Sequence, residues 1–95
     1  MQHQLRIYTV KDERMDDWVA KWRSSVLPLR RKYGFAIVGP WIIRKEQRFV
    51  WIVGHDDFEE ANAAFYASPE RSALEPEIPE YLEKVETSML DAVAL

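Results

Sequence analysis

The residue most open to acid–base work in this chain is His55. It closes a strand-like run and stands beside Asp56 and Asp57 at the mouth of a helical segment, and an unperturbed imidazole titrates close to neutrality. The bland alternative is a loop histidine at the surface. Tyr8 and Tyr66 add two hydroxyls that need partners if buried, and with His55 they complete the set of candidate catalytic residues. Trp41 and Trp51 offer flat surfaces on which an organic ring could stack, although large aromatics in a small domain most often belong to the core. Asn62 is a polar residue on the apolar side of its helix, four residues after Phe58 and three before Phe65. A buried amide must be hydrogen-bonded, either to nearby backbone or to a ligand. Tyr8, Trp41, Trp51, Asn62 and Tyr66 therefore form the candidate ligand-binding set. Arg6 and Glu86 are charges inside strand-like segments, for which a cross-strand ion pair is the default and an anion-binding Arg6 the alternative.

Other chemistries lack their residues. His3 and His55 are the only histidines and are not at metal-ligand spacing, and there is no cysteine, so no metal site, disulfide or thiol nucleophile is expected. There is no GxSxG elbow, no HExxH and no Gly-rich phosphate loop, so no cofactor is expected either.

The elements that must position these residues follow from periodicity. Leu5 to Val10 reads as a strand. Asp12 is placed to cap a helix whose apolar stripe runs through Met15, Trp18, Val19, Trp22, Val26, Leu29 and Tyr33. Asp16, Lys21, Arg23, Arg30 and Arg31 fall off that stripe. Pro28 predicts a kink near Ser24 and Ser25, and Gly34 a left-handed stop. Phe35 to Ile43 and Arg48 to Val53 form a hairpin around Arg44–Gln47, and both runs are apolar on both faces. One helical layer covers only one of those faces. Asp57 and Glu60 form a carboxylate capping box for the second helix, and Ser68-Pro69 starts a short third one. Glu75 to Pro79 is an extended or turn segment, and Val85 to Leu90 the last strand. The order βαββαβ predicts a ferredoxin-like α+β domain. It has a four-stranded antiparallel sheet ordered 4-1-3-2, with the helices on one face.

The 95 residues suffice for a single domain, 1–95. The net charge of −3 gives no basic footprint for nucleic acid, and the apolar runs are too short to cross a membrane. The first ten residues are too polar for a signal peptide, so a cytoplasmic protein is expected.

The segments His3–Tyr8, Arg48–Gly54, Ala61–Arg71 and Val85–Thr87 together resemble the NIPSNAP family of dimeric α/β-barrel proteins, over nearly the whole chain. The resemblance implies a homodimer with sheets facing each other and helices outside, which supplies the missing cover for the second sheet face. Where the family carries an aromatic, this chain has His55. Similar barrels include cofactor-independent monooxygenases, polyketide cyclases, haem-degrading enzymes and decarboxylases. The second helix has no histidine where the haem-degrading barrels place their ligand. Two functions stay open. One is cofactor-independent proton transfer or oxygenation on a small hydrophobic or aromatic metabolite. The other is a non-catalytic ligand-binding or protein-interaction module.

Overall fold

The computed structural model describes residues 1–95. Four strands, β1 (Gln2–Val10), β2 (Ala36–Ile43), β3 (Arg48–His55) and β4 (Leu82–Leu90), form one antiparallel sheet in the order β2-β3-β1-β4. Two helical crossovers pack on one face. The first joins α1 (Met15–Lys21) and α2 (Leu27–Lys32) through a π-helical turn at Trp22–Val26, and the second comprises α3 (Phe58–Ala67) and α4 (Pro69–Leu74). The expected architecture is observed, and no helix is long and apolar enough to cross a membrane.

Pro28 explains the π turn. It has no N–H to donate to the carbonyl of Ser24, and its ring clashes with that carbonyl in a regular helix. The chain widens instead: the N–H of Leu27 reaches back five residues to the carbonyl of Trp22. The expected interruption is real and takes the form of a wide turn. Gly34, at φ +83°, ends the helix as expected. Phe35 N–H bonds the Arg30 carbonyl at 3.1 Å and Gly34 N–H the Arg31 carbonyl at 3.0 Å, the paired bonds of a Schellman stop.

Helix starts are less faithful to expectation. Asp12 caps nothing, because α1 begins later with Arg14 in the cap position. Asp57 occupies the cap position of α3, but its side chain accepts no backbone bond. The Phe58 N–H is taken by Gln2 Oε1 at 2.9 Å instead. Ser68 does cap α4, accepting from the Arg71 N–H at 3.1 Å and donating to the Phe65 carbonyl at 2.7 Å.

Strand alternation sorts the sheet into two faces. Tyr8 and Val10 of β1, Phe49, Trp51 and Val53 of β3, and Leu82 of β4 are buried against Trp18, Trp22, Val26, Phe58 and Phe65 of the helices. The aromatic rings meet mainly edge-on, as in Trp22 against Trp51 with centroids 5.2 Å apart. On the other face lie Leu5 and Ile7, Val50 and Ile52, and the exposed Val38, Trp41, Ile43 and Leu90. No helix covers them.

Candidate functional site

Strand β1 brings Gln4, Arg6 and Tyr8 to its helix-facing side at two-residue intervals. Arg6, only 6% exposed, uses all three guanidinium nitrogens: Nε donates to Tyr8 Oη at 2.8 Å, Nη1 to Gln4 Oε1 at 2.7 Å, and Nη2 to Tyr66 Oη at 2.9 Å. The last bond reaches across to α3. A second guanidinium arrives from α2. Arg30 is 1% exposed, lies against the Phe65 ring with its Cζ 3.9 Å from the centroid, and donates from Nη1 to Asn62 Oδ1 at 2.8 Å. Its Nη2 lies 3.5 Å from Tyr66 Oη. Arg71, from α4, lies over the Tyr66 ring and is paired with Glu75 at 2.7 Å.

These side chains wall an inner cavity of about 90 Å³, lined by Arg6, Arg30, Arg71, Tyr8 and Tyr66 together with apolar residues such as Trp18 and Val85. Outside it lies a wider groove of about 470 Å³, lined by Gln2, Phe58, Asn62, Ala63, Tyr66 and Met89 among others. Tyr66 lines both.

The electrostatics are set by burial and by cations meeting a phenol. Burial, then the charge of Arg6, pulls the Arg30 guanidinium down to about 10. Burial also works to lower Arg6, but its contacts with the Tyr8 and Tyr66 oxygens outweigh it and the net shift is upward. That upward pull is a phenolate's and acts only at alkaline pH. For Tyr66, burial favours the neutral phenol, yet Arg6 and Arg30 overcome it and hold the hydroxyl below its ordinary value.

The candidate residues divide accordingly. Tyr8, Asn62 and Tyr66 come together around the arginines. Trp51 is fully buried on the same side, with both guanidinium carbons about 6 Å from its ring, but it belongs to the core beneath the cavity. Trp41 is on the other face of the sheet. Register slips between Val38, opposite Ile52, and Trp41, opposite Val50. An extra residue at Gly39-Pro40 thus turns Trp41 outward, where it is 51% exposed. The Arg6–Glu86 ion pair is not formed. Arg6 stands opposite Thr87 and Glu86 opposite Ile7, so the two point to opposite faces, and Glu86 pairs with Lys84 at 2.7 Å. His55 is apart from the cavity too, in a shallow groove with Tyr33, Asp57 and Glu60. Its Nδ1 accepts the Asp57 N–H at 2.9 Å, a strand-end bond in place of a helix cap.

Sequence reasoning missed Arg30 and Arg71. The one signal for Arg30 was Pro28, whose interruption of the helix changes the phase of the residues after it.

A family model described as NIPSNAP matches residues 3–94. No curated protein matches the chain. Among solved structures, an uncharacterized NIPSNAP domain protein from Burkholderia xenovorans superposes with a TM-score of 0.87 at 21% identity, covering 99% of this chain and 96% of that one. A NIPSNAP family protein from Agrobacterium tumefaciens gives 0.85 at 14% identity, covering 97% and 92%. A protein described as antibiotic biosynthesis monooxygenase gives 0.75 at 20% identity, covering 99% and 100%. At these identities the structural likeness is one of fold.

Proposed function

The chain belongs to the NIPSNAP family, and from that premise we propose that it binds a small hydrophobic or aromatic metabolite between helices and sheet and moves a proton on it through Tyr66. One observation carries the reading: the Tyr66 hydroxyl receives Arg6 Nη2 at 2.9 Å with Arg30 Nη2 at 3.5 Å, at the boundary of cavity and groove. A phenol held by two cations gives up its proton more readily than a free one, and its phenolate is a base. Tyr66 Oη takes a proton from an acidic carbon of the substrate, the electron pair moves onto the adjacent carbonyl oxygen, and the same hydroxyl returns the proton. The guanidiniums stabilise the charge wherever it resides. The carbanion is also the species that cofactor-independent oxygenation would pass to dioxygen, and one structural neighbour is described as an antibiotic biosynthesis monooxygenase.

The working form we propose is a homodimer joined through the open sheet faces, supported by the exposed row Val38, Trp41, Ile43 and Leu90.

The proton-transfer reading is tested by NMR of benzoylacetone in deuterated buffer. The protein should accelerate exchange at the acidic carbon above the buffer rate, and Tyr66→Phe should lose at least tenfold of that acceleration. Binding without acceleration would leave the domain a ligand-binding module.

A further inference from the structure

Resting on that reading of the cavity, we propose that the ligand carries an organic carboxylate, seated on Arg6 and Arg30, with its apolar remainder in the outer groove against Phe58, Ala63 and Met89. Each guanidinium has five N–H groups to place. Arg6 gives to Tyr8, Gln4 and Tyr66, and Arg30 to Asn62 and Tyr66. Every one of these acceptors is a phenol or an amide. Neither arginine takes part in any of the ion pairs of the molecule, all of which join other residues. The Nε–H of Arg30 is buried with no partner at all. The third cation of the cavity, Arg71, already has its counter-charge in Glu75.

Two adjacent buried cations without a carboxylate are costly, since desolvation and mutual repulsion act together. An arriving anion removes both penalties, and the planar fork of a guanidinium matches the two oxygens of a carboxylate. The size of the chamber favours the same occupant. About 90 Å³ suits a carboxylate head, and the groove of about 470 Å³ beside Tyr66 gives an attached ring or chain somewhere to lie. A free inorganic ion would leave that groove unused.

The test uses the full chain at constant ionic strength, melted with sodium phenylacetate, with phenylacetamide and with inorganic phosphate. Phenylacetate should raise the melting temperature progressively with concentration, phenylacetamide should not, and phosphate should need at least tenfold more to give the same shift. Arg30→Met should abolish the phenylacetate response while melting no lower than the parent without ligand, because a buried unpaired charge has been removed. Should that variant not fold, Asn62→Asp serves instead. It sets a carboxylate against Arg30 Nη1 and should block phenylacetate from within. An amide as effective as the acid overturns the carboxylate while leaving the pocket intact. Phosphate equal to phenylacetate reduces the site to one for adventitious anions and overturns it too, as does a melt that no probe moves. A phenylacetate response without benzoylacetone exchange would instead remove the proton-transfer reading and keep this one.

Discussion

Tyr66 is the residue on which the proposed proton transfer turns, and its ionisation is measurable by itself. Burial opposes the phenolate, but Arg6 and Arg30 prevail and the folded value lies below the free value near 10. The fold therefore binds that proton less tightly than the unfolded chain does. Its contribution to stability is full above the free value and is lost as pH falls through the folded one. Arg30 acts in the same direction, because its folded value of about 10 lies below the free one. In an alkaline titration followed by tyrosinate absorbance, wild type should show an early ionising fraction that Tyr66→Phe lacks. Identical curves would show that the guanidiniums do not reach the phenol. Residue type made Tyr66, Asn62 and Arg6 legible in the sequence, because each is polar where its element is apolar. Their partners were not legible. Glu86 looked like the partner of Arg6 only while register was unknown, and one extra residue at Gly39-Pro40 was enough to move Trp41 to the opposite face.

At the scale of elements, order and the helix stop at Gly34 were readable from periodicity and stop signals, but helix starts and phase were not. Arg30 lies eight residues after Trp22, which in an uninterrupted α-helix is about 80° around the axis. The π turn absorbs one residue and rotates everything after it by about 100° in the opposite sense, leaving Arg30 within about 20° of Trp22. A cation read as lying off the apolar stripe is thereby turned into the core. Pro28 announced an interruption without revealing which way the following turn would be rotated. The second crossover depends on a single cap. Ser68 is buried and bonds both the end of α3 and the start of α4. Ser68→Ala should lower unfolding free energy by about 1–2 kcal/mol. It should also loosen Arg71, the first-turn residue over the Tyr66 ring. Chemical denaturation checks the first effect, and an unchanged midpoint would contradict the cap.

For the molecule as a whole, one sheet serves two purposes. Strand β1 turns Arg6 and Tyr8 toward the helices, and Leu5 and Ile7 toward the uncovered face. That face was legible early, because strands apolar on both sides require two covers and the chain has helices for one. Sedimentation at micromolar concentration should find a dimer, and Trp41→Glu should shift it to monomer with the melt of the helix-side core preserved. A wild-type monomer would remove the dimer. The sheet's edges have a further consequence for how such association ends. β2, one outer strand, carries Pro40, which offers no N–H, beside a break in register. The other, β4, sets Glu83, Lys84 and Glu86 along its exposed length. Strand-to-strand addition, the open-ended route to fibrils, is thus obstructed at both margins. In the proposed dimer, face-to-face contact consumes its surface after one partner, so association through that face saturates.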